Sequence, residues 1–291
     1  MLLLPPFDYH APASLEEVID LLETHGQRAR VLAGGTDLLV NMKRGFEAPD
    51  CVVDLGRVPG LDVVKTTRTA TLIGAGATAR TLSENRALGR RLPALAQAAA
   101  QLGSPLIRNR ATLGGNLAHA RPAADLAPPL LAAGASVVLR GPGGERVVDL
   151  SDFFIEPGRT CLGPDEVLVR FVIPASGPGT GEAFVKLGLR RALERSIVSV
   201  AARIVLSEDG RRIESARIAL GAVAPTPLRS PCAEQALTGA SADTGSIDQA
   251  AREACRDACP RGRCSSTEYS LMMVEVMTRR ALTRALNAAR Q

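Results

Sequence analysis

The stretch Val31-Leu32-Ala33-Gly34-Gly35-Thr36-Asp37-Leu38 joins a short apolar run to a helical pattern. A second stretch, Ala111-Thr112-Leu113-Gly114-Gly115-Asn116-Leu117-Ala118, repeats this arrangement about eighty residues later. Paired glycines let a backbone turn sharply and let a ligand approach without an intervening Cβ. Backbone N–H groups exposed at a loop or a helix start suit a phosphate anion. The two stretches therefore predict a ligand with two ends that are held from two sides.

Each glycine pair alone is better explained as a tight turn or a helix cap. Four hydrogen-bonding residues accompany the pairs: Thr36, Thr112, Asn116 and Asp125. Taken together, these features predict a bound diphosphate cofactor. Asp125 also fits the N-cap of the helix that follows it, and the two roles are compatible. Neither stretch has the G-x-G-x-x-G pattern, and no P-loop lysine follows at the required spacing.

Composition restricts the class of protein. The chain has 291 residues, a net charge of +5 and only 3% aromatic residues, without a basic surface interleaved with aromatics. This argues against nucleic-acid binding. No window reaches the 18 apolar residues of a membrane helix, so we expect no membrane span. The first residues lack the basic leader and long apolar run of a signal peptide, so we expect a cytoplasmic protein.

Strand and helix patterns are mixed without regular alternation. Strands are predicted at residues 30–33, 52–55, 61–65, 70–75, 135–140, 146–150, 166–173, 182–189, 196–206 and 212–223, and helices from residues 15 and 36 and at 79–101, 126–133, 247–258 and 267–289. This mixture favours an α+β fold over a doubly wound sheet. The loop-like composition of residues 174–181 predicts domains at 1–176 and 177–291. A softer boundary near residues 56–60 divides the first into subdomains 1–57 and 58–176.

Two patterns describe the second domain. Alternation of Ile213, Ala216, Ile218 and Leu220 predicts an antiparallel sheet with one covered face. Helical spacing in the last helix predicts five core residues: Tyr269, Met272, Met273, Val276 and Met277.

No arrangement of residues predicts acid–base or nucleophilic catalysis. The sequence has no nucleophile elbow, no H-E-x-x-H motif and no credible triad. Its histidines, His10, His25 and His119, are too few and too scattered to predict a metal cluster. His119 is better explained as a hydrogen-bonding loop residue than as a base. Cys255, Cys259 and Cys264 lack the C-x2-C spacing of common metal sites and are predicted to be ordinary thiols.

The motifs A-G-G-T-D-L at 33–38 and A-T-L-G-G-N-L-A at 111–118, with P-A-A-D-L at 122–126, resemble the FAD-binding medium subunit of molybdenum hydroxylases. That family includes xanthine dehydrogenase FAD subunits and carbon monoxide dehydrogenase medium subunits. The resemblance runs from F-D-Y-H-A-P at 7–12 to T-R-R-A-L at 278–282. It implies a two-subdomain FAD-binding domain of the vanillyl-alcohol-oxidase (PCMH-like) type, followed by a smaller C-terminal α+β domain with an antiparallel sheet and helices.

The resemblance also implies FAD contacts at individual positions. They are Val31, Leu32, Ala33, Gly34, Gly35, Thr36, Asp37 and Leu38 in the first stretch, then Thr112, Leu113, Gly114, Gly115, Asn116, His119, Asp125, Leu168 and Lys186. Leu168 would pack by the adenine or the flavin, and Lys186 would lie near the isoalloxazine. Without the resemblance, Lys186 is better explained as a solvated strand lysine. The cysteines at 255, 259 and 264 are not part of the family pattern.

By the same resemblance, the chain relays electrons and has no catalytic residue of its own. A large partner subunit would hold the molybdenum cofactor, and a small one would hold two [2Fe–2S] clusters, in a dimer of heterotrimers. The FAD would pass electrons to NAD⁺, a quinone or oxygen. Two alternatives are a self-sufficient FAD-dependent oxidoreductase acting on a small molecule and a scaffold that has lost FAD. The intact glycines at 34, 35, 114 and 115 argue against the scaffold.

Overall fold

The computed structural model describes residues 3–190, 193–261 and 265–291. Its elements form three larger sheets with helices against them, and strands and helices are mixed as an α+β fold requires. Residues 262–264, and with them Cys264, lie outside the described ranges. Within those ranges, no helix combines the length and the apolar character needed to cross a membrane.

The first sheet is parallel and has the strand order β1-β3-β2. Its elements are β1 (Asp8–His10), α1 (Leu15–His25), β2 (Ala29–Leu32), α2 (Leu38–Lys43) and β3 (Cys51–Asp54). The Ser14 hydroxyl accepts a hydrogen bond from the Glu17 N–H and so caps α1. A stripe on α1 that includes Val18 and Leu22 packs on the sheet in one small core.

The second sheet is antiparallel and has the strand order β4-β5-β10-β6-β7. Its strands are β4 (Val64–Thr66), β5 (Ala70–Gly74), β6 (Ser136–Gly141), β7 (Gly144–Asp149) and β10 (Val167–Pro174). Between them come α3 (Ala79–Glu84), α4 (Arg86–Arg91), α5 (Pro93–Gln101), α6 (Pro105–Arg108), α7 (Leu113–Ala118), α8 (Ala127–Ala133), α9 (Leu150–Phe153) and the hairpin of β8 (Phe154–Glu156) and β9 (Arg159–Thr160). The helices and the sheet share one core centred on residues such as Leu117, Leu130 and Phe171.

The third sheet is antiparallel and has the strand order β11-β12-β13-β14. It consists of β11 (Thr180–Leu187), β12 (Val198–Leu206), β13 (Ile213–Gly221) and β14 (Leu228–Arg229), followed by α10 (Pro231–Leu237), α11 (Thr244–Asp257) and α12 (Thr267–Ala289). One face packs on these helices. The other face packs through Phe184, Ala201 and Ala219 into the core of the second sheet.

The expectation of one covered face on this sheet was therefore wrong. Both faces are buried, because small residues on the second face let α8 approach the strands closely. The predicted core stripe of the last helix was also only partly right. Met277 is buried, whereas Tyr269 and Met272 are 41% and 57% exposed, and the buried face runs instead through Val274, Ala281 and Leu282.

Candidate cofactor-binding site

Both glycine stretches line one cavity of about 830 Å³. This volume is near the upper end of the range for small-molecule sites in proteins. The cavity lies where the first and second sheets meet, because its walls include Ala29 and Val31 of β2 and Val167 and Leu168 of β10. The fold thus brings together two motifs that are about eighty residues apart.

The first glycine loop, residues 33–38, presents unpaired backbone donors to this cavity. After β2 ends at Leu32, the chain turns through Gly34 and Gly35 before α2 begins. Gly35 has φ of +72°, a conformation that favours glycine. The N–H groups of residues 34–37 donate to no protein acceptor in the described part of the chain, and all four residues line the cavity. Consecutive free N–H groups of this kind suit a diphosphate.

The second glycine stretch, residues 111–118, contributes differently. Its glycines lie in the first turn of α7, and the N–H groups of residues 113–116 are all paired inside the protein: with the carbonyl oxygens of Ala77, Ala75 and Thr112 and with the Thr112 hydroxyl. The expectation that both stretches expose free N–H groups was therefore wrong for these four residues. Gly115 instead leaves room at the cavity wall because it has no side chain. An added Cβ would meet only the Thr112 Oγ1, at 2.9 Å.

The two stretches also contact each other. A Cβ added to Gly34 would lie 2.0 Å from the carbonyl oxygen of Arg110, which is closer than any real contact. A Cβ added to Gly114 would lie 2.7 Å from the Cβ of Ala75. Both glycines are needed for packing between segments, and Gly34 brings the first motif against the start of the second.

His119 lies in the cavity wall as a neutral hydrogen-bonding residue. Its Nε2 accepts a hydrogen bond from the Arg121 guanidinium at 2.6 Å and lies 3.6 Å from the Asp37 carboxylate. Burial lowers the pKa of His119, with Asp37 opposing that change. Because Arg121 donates to Nε2, this nitrogen carries a lone pair, so its approach to Asp37 is not an ion pair. The arrangement matches the predicted loop residue rather than a base.

Asp125 and Lys186 form a buried ion pair away from the cavity lining. Lys186 Nζ lies 2.5 Å from Asp125 Oδ2, and the Ser196 hydroxyl donates to Asp125 Oδ1 at 2.6 Å. Both charged side chains are only 8% exposed. Burial raises the pKa of Asp125, and the Lys186 ammonium and the Ser196 hydroxyl oppose that rise.

Two alternative interpretations of these residues were wrong. Lys186 is not a solvated strand lysine, because it is buried in the pair. Asp125 is not the N-cap of α8, because Leu126 holds that position and no side chain caps the helix. The contacts of Asp125 and Lys186 with FAD remain predictions.

The structure gathers most of the predicted contact residues around the cavity. Those that line it are Val31, Ala33, Gly34, Gly35, Thr36, Asp37, Leu38, Thr112, Gly114, Gly115, Asn116, His119 and Leu168. Those that do not are Leu32, Leu113, Asp125 and Lys186. Leu113 is fully buried in the core beneath α7.

Sequence reasoning missed one wall of the cavity. The strand β9 and the turn after it contribute Arg159, Thr160, Leu162, Gly163 and Pro164. The turn-rich composition of residues 158–164 was the available signal, but nothing in it indicated a ligand. Arg30 and Glu47 also line the cavity and pair with each other at 3.0 Å.

Comparison with known proteins agrees with this site. Residues 5–176 match the family described as the FAD binding domain in molybdopterin dehydrogenase. Residues 183–285 match the CO dehydrogenase flavoprotein C-terminal domain. The free N–H groups of the first glycine loop and the open space at Gly115 fit the diphosphate of such a cofactor. The chain is therefore an FAD-binding protein.

Individual relatives extend this conclusion to the whole chain. The carbon monoxide dehydrogenase medium chain of Hydrogenophaga pseudoflava is 35% identical, with 97% of each chain covered. The xanthine dehydrogenase FAD-binding subunit of Escherichia coli O157:H7 is 33% identical over 97% of this chain and 96% of its own length. A solved structure of the Hydrogenophaga carbon monoxide dehydrogenase matches with a TM-score of 0.94, covering 98% of this chain and 99% of the other. The chain belongs to the FAD-binding medium subunits of the molybdenum hydroxylase family.

Proposed function

We propose that this subunit relays electrons and does not itself transform the substrate. In this proposal a large partner subunit holds the molybdenum cofactor and oxidises the substrate, and a small partner subunit passes electrons through two [2Fe–2S] clusters. This chain would hold the FAD through which those electrons would reach NAD⁺, a quinone or oxygen. The proposal rests mainly on the backbone N–H groups of residues 34–37, which face the cavity and have no acceptor in the described part of the chain. The chain's membership of this family indicates that the ligand of these groups is FAD.

The chain's own residues bind and orient the cofactor. The N–H groups of residues 34–37 hold the diphosphate, and Gly115 leaves room for its close approach. Leu168 supplies an apolar surface for the adenine or the flavin ring. When bound, FAD exchanges electrons singly on one side and in pairs on the other.

The charges in the cavity wall support relay over acid–base chemistry. Glu47 is paired with Arg30, and Arg146 holds the pKa of Glu166 below its ordinary value through a hydrogen bond of 2.6 Å. His119 is neutral and accepts from Arg121. None of these three groups is a free base, so these three suit binding better than proton abstraction.

The assembly is part of the proposal. Relatives are named as medium chains and FAD-binding subunits, which supports association with further subunits. We propose a dimer of heterotrimers in the cytoplasm. We also propose that Lys186, paired with Asp125, lies near the isoalloxazine of the bound cofactor.

An activity assay on the FAD-loaded chain, alone and assembled, tests the proposal. Carbon monoxide, xanthine, nicotine and glyceraldehyde, which are named for relatives, serve as the substrate panel. We expect no turnover by the chain alone. We expect the complex, once stripped of FAD, to keep substrate-dependent bleaching of its iron–sulfur clusters but to lose acceptor reduction until FAD is restored. Turnover by the chain alone would overturn the relay and favour a self-sufficient oxidoreductase.

A further inference from the structure

Two of the three histidines meet a cysteine in the first sheet. One ligand atom each of His10, His25 and Cys51 lies within 4.8 Å of the others. The rings of His10 and His25 have centroids 5.9 Å apart. The sequence predicted no metal cluster because the histidines are scattered along the chain; the fold nevertheless brings His10 and His25 together.

The fold explains the juxtaposition. In the parallel pairing of β1 with β3, Asp8 lies opposite Cys51 and His10 lies opposite Val53. His10 and Cys51 thus lie on one face of the sheet, because side chains two residues apart share a face. His25 is the last residue of α1, three residues after Leu22, on the stripe that packs against this face. Three separate elements converge here, and none of the pairings is visible from sequence spacing.

The chemistry of the set matches one class of ion. We propose that His10, His25 and Cys51 bind a single Zn²⁺ ion, with water in the fourth position. A thiolate with imidazoles is a common zinc ligand set, whereas Mg²⁺ and Ca²⁺ require oxygen ligands. In a tetrahedral zinc site the ligand atoms lie about 3.5 Å apart, so side-chain shifts of about 1 Å close the three atoms around an ion.

The surroundings allow both binding and access. Cys51 is completely buried, while His10 and His25 are half-buried and leave a path for water to the fourth position. Zinc takes cysteine as the thiolate, so a bound ion would displace the proton of the Cys51 thiol.

The ion would tie α1 to β1 and β3 next to the FAD site. Cys51 lies opposite Ala29 in the pairing of β3 with β2, and Ala29 lines the cavity. Strand β2 leads directly into the first glycine loop. The zinc site would therefore stabilise the scaffold of that loop without touching the cofactor.

Metal analysis of the FAD-loaded full chain tests the proposal. After removal of metals with a chelator, we expect titration with Zn²⁺ to give one bound ion per chain. We expect His10→Gln, His25→Gln and Cys51→Ala each to weaken zinc binding by about a hundredfold or more. Cys259→Ser changes an exposed cysteine outside the cluster and is the matched control, with unchanged zinc binding expected.

Cobalt substitution identifies the ligands directly. With Co²⁺ we expect tetrahedral bands in the red, beyond the flavin absorption, and their loss in Cys51→Ala. If that variant does not fold, the two histidine variants test the assignment of the ligands. Their content of bound FAD then shows whether they are folded. An absence of tight zinc binding by the wild-type chain would overturn the proposal. Equal binding by wild type and the histidine variants would also overturn it and leave the histidines as a packed ring pair.

Discussion

At the level of single residues, the two glycine pairs have different structural roles. Gly34 and Gly35 belong to a loop with free N–H groups, whereas Gly114 and Gly115 lie in a helix whose first N–H groups are paired. The sequence predicted that each pair lies where the chain passes into a helix, because glycine favours turns and threonine favours helix caps at such junctions. It could not predict the difference, because the acceptors that pair the second stretch, on Ala75 and Ala77, are set by tertiary packing.

Gly115 tests the approach of the cofactor. We expect Gly115→Val to abolish FAD retention, since a branched side chain would fill the open space beside Thr112. Flavin absorbance per purified chain is the measurement. Gly89→Val is the control, because Gly89 also lies in a short helix and, unlike at Gly115, an added Cβ there would meet nothing within 4 Å. Full FAD stoichiometry in Gly115→Val would show that the cofactor does not pass this residue.

Gly34 tests the contact between the two motifs. A Cβ at this position would lie 2.0 Å from the Arg110 carbonyl oxygen, so we expect Gly34→Ala to lower the free energy of unfolding by about 1–3 kcal/mol. Gly143→Ala should change it by less than about 1 kcal/mol, since nothing surrounds that site. Urea denaturation measures both. Equal stability of the two variants would contradict the close packing of the loops.

At the scale of elements, amphipathic periodicity predicted most strands and helices to within a few residues. It missed elements that are too short to show a period, such as β1, and for β13 it predicted the strand but not that both of its faces are buried. Amphipathic periodicity also could not predict the buried ion pair between Asp125 and Lys186. The partners are 61 residues apart, and only the tertiary fold brings Lys186, at the end of β11, to Asp125, which precedes α8.

The Asp125–Lys186 pair joins the loop before α8 to β11 of the third sheet, and a double-mutant cycle measures its contribution. Removing one partner leaves a buried charge, so we expect Asp125→Asn or Lys186→Met to cost about 3–5 kcal/mol. The double variant should cost less than the sum of the two, because neither charge is then left alone. Glu84→Gln, in an exposed pair with Arg80, should cost less than about 1 kcal/mol. Strict additivity in the cycle would contradict a direct pair.

At the scale of the whole molecule, the third sheet is joined to the FAD-binding region by buried polar contacts. Arg203 of β12 pairs with Glu182 of β11 at 3.1 Å and donates to the carbonyl oxygen of Ala133 at the end of α8. Burial raises the pKa of Glu182 to about 7, with Arg203 opposing the rise. The contact between the two regions therefore holds a carboxyl group that titrates near neutrality.

This group gives stability a defined pH dependence. Between pH 4.5 and 7 the folded chain keeps a proton on Glu182 that the unfolded chain has released. The free energy of unfolding should therefore fall as the pH rises through this window, by about 3 kcal/mol in total from this group. Urea denaturation across the window should show a flatter profile for Glu182→Gln than for the wild type. Parallel profiles would contradict the raised pKa.

The cavity between the two glycine motifs should hold one FAD by its diphosphate. Titration of the flavin-free chain with FAD, followed by absorbance of the bound flavin and with FMN and ADP as competitors, measures this. We expect one FAD per chain, competition by ADP, and much weaker binding of FMN, which lacks the diphosphate. Failure to bind FAD, or equal binding of FMN, would contradict this expectation.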